Sequence, residues 1–219
     1  MKRFLLIYLI SFLSYLSLSA QKNPLFLGVE MGPVWASLEG EPTSFLQAKL
    51  FPSTSVRTGL FLQQDINPQL SYKTGIYFTQ KGAASIQEPW PQQGATLLLP
   101  DISRNFSFFQ IPVSIRYHPI QKLGLYASFG GFFSVLFDHA HSAFRNSPRY
   151  EEEELTLDIG LHSGIGMQFP LSPKQSVGLE LNYEWGLSDI SRFGRRPVVE
   201  RELKTRAINL GVNYFFMWK

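Results

Sequence analysis

Apolar and polar positions alternate with a period of two along most of the chain beyond residue 24. The last such stretch, Lys204 to Trp218, shows the pattern most fully. Ile208, Leu210, Val212, Tyr214 and Phe216 fall on one face, and Ala207, Asn209, Gly211 and Asn213 fall on the other. This is the period of a β-strand with one apolar side. Seven earlier stretches repeat it: Leu25 to Trp35, Val56 to Gln64, Leu70 to Lys81, Phe106 to Tyr117, Leu123 to Phe137, Leu155 to Phe169, and Val177 to Leu187. Each carries large aliphatic and aromatic side chains on one face and glycine, polar or charged residues on the other. Pro112 lies inside the fourth stretch, where it has no N–H to give to a ladder, so a bulge or a local gap is expected there.

The connections alternate between long and short. Ala36 to Ser55, Gly82 to Arg104, Asp138 to Glu154 and Ser188 to Leu203 are long; Asp65 to Pro68, His118 to Lys122 and Pro170 to Pro173 are short. An even number of strands with short turns on one rim, long loops on the other and both termini on the short-turn side is an outer-membrane layout. The strands reach the about 9–11 residues that a tilted span needs. A last strand that pairs with the first also leaves no open edge within lipid. The fold class read from the pattern is therefore all-β, an eight-stranded antiparallel up-and-down transmembrane β-barrel. The alternative is a soluble lipocalin-like barrel binding a small hydrophobic ligand, which needs its apolar face inside.

The first residues change the picture only at the edge of this domain. Met1-Lys2-Arg3, an apolar run from Phe4 to Leu18 and the small residues Ser17, Ser19 and Ala20 read as a secretory signal peptide over residues 1–20, which leaves the barrel domain at 21–219. With 0 Cys the chain has no lipoprotein anchor, disulfide framework or thiolate metal site. The formal charge is +3, and Lys2 and Arg3 account for two of those positive charges. The balance that remains is no nucleic-acid signature.

With the apolar face toward lipid, the inner face receives Glu30, Arg57, Lys73, Arg116, Asp158, Glu180 and Glu184. Eight strands leave a lumen just wide enough for side chains to fill, so these charges are expected to pair as an interior network that fixes barrel shape. His162 points inward beside Asp158 and Glu180 or Glu184, but Ser163 faces the opposite side and no nucleophile shares the face. No catalytic residue, cofactor or metal is therefore assigned. His139 and His141 with Glu151 to Glu154 offer imidazole and carboxylate ligands without a fixed spacing. Arg192, Arg195 and Arg196 in the last loop are candidates for contacts to lipopolysaccharide phosphates. Trp35, Tyr183, Trp185, Tyr214 and Trp218 fit interfacial aromatic girdles.

Two resemblances add to this reading. Asn209, Gly211, Tyr214 and Phe216 resemble the C-terminal assembly signal of outer-membrane barrels, which implies insertion by the barrel assembly machinery; three residues, Met217 to Lys219, follow where that family usually stops. Gln80-Lys81-Gly82, the run from Phe108 to Val113, the glycines 160, 164 and 166 after Asp158, and Asn182 to Ser188 look like the PorT-type outer-membrane β-barrel family. That resemblance covers the whole mature chain. It implies a non-enzymatic envelope component, or a membrane partner of a larger assembly such as a secretion complex, in contact with outer-membrane lipid and lipopolysaccharide. A second reading is adhesion or binding through the loops Gly82 to Arg104 and Ser188 to Leu203.

Overall fold

The computed structural model describes residues 23–39, 49–86, 90–92, 95–97, 102–120, 123–141, 157–190 and 204–218. They form β1 (Leu25–Glu39), β2 (Lys49–Asn67), β3 (Leu70–Ile86), β4 (Trp90–Gln92), β5 (Ala95–Leu97), β6 (Ile102–Ile120), β7 (Leu125–His141), β8 (Leu157–Ser172), β9 (Gln175–Gly186) and β10 (Lys204–Met217). Eight of these close into one barrel in the order β1-β10-β9-β8-β7-β6-β3-β2, every neighbouring pair antiparallel. β10 pairs with β1 from Phe26↔Met217 to Glu39↔Lys204, so the sheet has no free edge within the barrel wall. β4 and β5 make a separate small hairpin, inside the stretch that the Pro, Gln and Gly content reads as loop.

The strands outrun their hydrophobic pattern on the long-loop side. β1 continues to Glu39 and β2 begins at Lys49, which shortens the connection expected from Ala36 to Ser55. β3, β6 and β7 likewise reach Ile86, Ile102 and His141. Ladder hydrogen bonding continues beyond the level where the alternation ends. β2 and β3 stay paired up to Lys49↔Ile86, β3 and β6 up to Ser85↔Ile102, and β6 and β7 up to Arg104↔His141. β2, β3, β6 and β7 thus carry the ladder on as a crest at the long-loop rim.

The other rim is made of tight turns. The Asn67 side chain accepts from the N–H of Gln69 at 2.8 Å and of Leu70 at 2.9 Å, an Asx-type cap on the β2–β3 turn. Leu123 belongs to the β6–β7 turn rather than to the strand expected to start there. Gly124 adopts φ 64°, and its carbonyl accepts from the Gln168 N–H at 2.9 Å. A side chain at 124 meets both a left-handed backbone and the Gln168 carbonyl.

Pro112 opens a gap and no bulge. The β3–β6 ladder runs Thr74↔Val113 and then resumes at Tyr77↔Gln110 in the same register. The Thr74 hydroxyl donates to the Pro112 carbonyl at 2.9 Å, which serves an acceptor at the gap.

Polarity is that of a membrane barrel. Leu60, Phe129, Ile165 and Met31 are 62–66% exposed on the outer wall, while Lys73, Arg116, Asp158, Glu180 and Glu184 are buried inside. The soluble alternative needs the reverse and is set aside on that observation. At the long-loop edge of the apolar wall, Phe78, Phe109 and Phe137 form an aromatic cluster, Phe109 and Phe137 stacked at 4.6 Å. Arg206 lies over the Trp185 ring at 5.2 Å, bonds the Gly186 carbonyl at 2.8 Å and pairs with Glu39. Cations and aromatics of this kind mark a bilayer interface.

Candidate functional site in the barrel lumen

The inner face is built from the same period-two alternation: each strand sends every second residue into the lumen. All seven charges of the expected interior network, Glu30, Arg57, Lys73, Arg116, Asp158, Glu180 and Glu184, are buried there. An eighth joins them. Because β3 continues past Lys81 instead of ending at it, that ammonium also points inward and is 1% exposed. The eight form one chain of alternating sign. Arg116 pairs with Glu180, and Lys73 lies between Glu180, at 2.9 Å, and Glu30. Arg57 follows, 3.8 Å from Glu30 and 2.7 Å from Glu184. Lys81 closes the series, 2.8 Å from Glu184 and 3.2 Å from Asp158.

Four bases and four acids cancel, which removes the excess negative charge that seven alone would leave in a low-dielectric interior. Each cation also faces a ring: Arg57 over Tyr77 at 4.1 Å, Lys73 over Phe61 at 4.4 Å, Lys81 over Phe132 at 4.2 Å and Arg116 over Tyr126 at 4.4 Å. Neutral groups complete the tie. Ser128 donates to Glu180 at 3.3 Å, Thr205 to Asp158 at 2.8 Å, Asn209 to Glu184 at 3.0 Å and Tyr77 to Glu30 at 3.2 Å. Every barrel strand therefore contributes to the network, and all four cations touch an acid of β9.

Apolar clusters bracket these charges. Leu38, Phe106, Phe108, Leu136 and Ile190 pack together at the long-loop end. Ile190 is placed there because Leu187 and Ser188 fold back onto β8: both N–H groups bond the Ile159 carbonyl, at 2.8 and 3.2 Å, and the Ser188 hydroxyl accepts from the Ile159 N–H at 2.7 Å. Toward the short turns, Phe61, Tyr77 and Phe215 pack with Phe26. The side chains of Thr79, Gln110 and Ser134 are fully buried between neighbouring strands without a protein partner.

Of the other expected sites, His162 is buried in the lumen, directly across from Glu184 in the β8–β9 register, while Ser163 points outward. Asn209 and Gly211 of the C-terminal pattern face the lumen; Tyr214 and Phe216 face outward. Arg192, Arg195 and Arg196 and Glu151 to Glu154 lie outside the described residues, so neither the lipopolysaccharide contacts nor the acidic tract has a place in the geometry. Among the described residues no group of three or more histidine or carboxylate side chains converges as a metal site. Lys81 and the inward rings were legible by parity, since Lys73, Tyr77, Thr79 and Lys81 all share one face.

A family model described as outer membrane protein beta-barrel domain matches residues 19–192. Among solved structures, the outer membrane protein OprG from Pseudomonas aeruginosa is similar at TM-score 0.50 and 12% identity, over 89% of this chain and 97% of its own. Ail, the attachment invasion locus protein of Yersinia pestis, is similar at TM-score 0.45 and 15% identity, over 87% and 98%. Neisserial surface protein A is similar at TM-score 0.44 and 9% identity, over 89% and 97%. No curated protein matches the chain.

Proposed function

The chain belongs to the outer membrane protein β-barrel domain family, whose members sit in the bacterial outer membrane, and from that premise we propose a non-enzymatic, non-conducting role. The barrel is a membrane-embedded docking component of an envelope assembly, with its termini on the periplasmic side and its crest outside. The observation that carries this reading is the filled lumen: a self-neutral chain of eight charges between two apolar clusters. A channel keeps an open polar path and an enzyme keeps its reacting groups within reach of substrate, whereas the described interior is packed with buried, paired charges. Function is then left to the rims and the outer wall. A secretion complex is one example of such an assembly that the PorT-like motifs imply.

The crest favours a second reading, adhesion through the loops that β2, β3, β6 and β7 carry. Two measurements separate these readings from each other and from a channel. Reconstituted in planar bilayers, the chain gives no unitary conductance steps; steady openings sink the non-conducting reading. Mild-detergent purification from native envelopes then retains a defined envelope protein on the wild-type chain. If nothing is retained, and a variant lacking residues 87–101 folds but loses cell attachment, adhesion replaces docking.

A further inference from the structure

The charge chain divides at one joint. Arg116, Glu180, Lys73 and Glu30 form a group without net charge toward the short turns, and Arg57, Glu184, Lys81 and Asp158 form another toward the long loops. The ion pair between the groups, Arg57 Nε to Glu30 Oε1, spans 3.8 Å, too long for a hydrogen bond. Arg57 Nε is buried without an acceptor, in a residue 6% exposed. An orphaned guanidinium N–H in such surroundings is costly.

Beside this joint lies a cavity lined by Glu30, Arg57, Lys73, Tyr77, Ser114 and His162 among others, with about 10 Å³ for the centre of a water molecule. That is the room of one water. Two bases and the acids Glu30 and Glu180 line it together, so a cation or an anion placed there meets a like charge. A neutral molecule with both donor and acceptor meets none. We propose that this cavity is a binding site for a single water molecule, which accepts from Arg57 Nε–H, donates to Glu30 Oε1, and so joins the two halves of the charge chain. A water about 2.8 Å from each atom spans the 3.8 Å between them. The site supplies the missing acceptor and hydrogen-bonds the two neutral groups across the joint.

The test uses the full mature chain, refolded into lipid bilayers with 15N-labelled arginine. Solid-state NMR transfer from water gives a cross-peak to Arg57 Nε–H that persists in the wild-type chain. Ser114→Val puts a methyl group into the cavity, removes that cross-peak and lowers the urea midpoint. If the variant does not refold, His162→Phe is read the same way. Absence of the cross-peak, with Ser114→Val raising the midpoint or leaving it unchanged, identifies a dry void and overturns the site. A signal that moves when potassium fluoride replaces sodium chloride identifies an ion, and overturns it too.

Discussion

Gly211 sits directly against a buried carboxylate: a β-carbon built there lies 2.9 Å from Glu30 Oε1. In the same C-terminal pattern Asn209 donates to Glu184 at 3.0 Å, so two residues that read as an assembly signal also complete the lumen. Gly211→Val displaces the Glu30 side chain from Lys73 and lowers the urea midpoint of the refolded barrel, with Gly211→Ala intermediate between the two. A larger loss follows from Arg116→Ala, which leaves Glu180 with one fewer cation in a buried site. Breaking one partner of a buried pair costs about 3–5 kcal/mol, read by urea unfolding in detergent. The double variant Arg116→Leu with Glu180→Leu recovers part of that loss, because the uncompensated charge goes with its partner. Which charges enter the lumen was legible from parity alone. Lys81 shares the parity of Lys73, but it escaped the expected network because the hydrophobic alternation stops near it while the backbone ladder does not. Pairing was not legible at all: Arg57 and Glu184 are 127 residues apart, and their meeting depends on barrel shear rather than on local pattern.

At the scale of the element, each strand is a ruler for bilayer depth. Leu181 lies mid-way along β9, between Ile165 of β8 and Leu210 of β10, and is 45% exposed to lipid. Leu181→Arg destabilises the barrel by about 2–4 kcal/mol, whereas Ile120→Arg beside the short turns costs about 0–1 kcal/mol; chemical unfolding in lipid vesicles measures both. The turn at Gly124 is a second sensitive point. Gly124→Ala forces a side chain into the left-handed region, at about 1–3 kcal/mol, and lowers the same midpoint. Strand identity and facing were legible in the sequence because lipid imposes a strict period of two. Strand ends were not, since the backbone ladder runs on past the point where the hydrophobic alternation stops. The β4–β5 hairpin was hidden for a related reason: its three-residue strands are too short to show a period. Pro112 was readable as a gap, but the hydroxyl of Thr74 that serves its carbonyl comes from the neighbouring strand.

For the whole molecule, closure and solvent reversal predict one behaviour. The refolded mature chain migrates faster on a gel before boiling than after, with a β-rich circular dichroism spectrum, and it precipitates without detergent. A chain that stays soluble and monomeric in plain buffer sinks the assignment of its outer wall to lipid. Within this closed molecule β9 has a particular standing. Glu180 and Glu184 both come from it, and between them they reach Arg57, Lys73, Lys81 and Arg116. β9 is also the last but one barrel strand in chain order. A chain ending before Gln175 holds the four lumen cations and, of their acids, only Glu30 and Asp158. Charge balance inside the barrel is therefore reached only once β9, near the end of the chain order, has joined the wall.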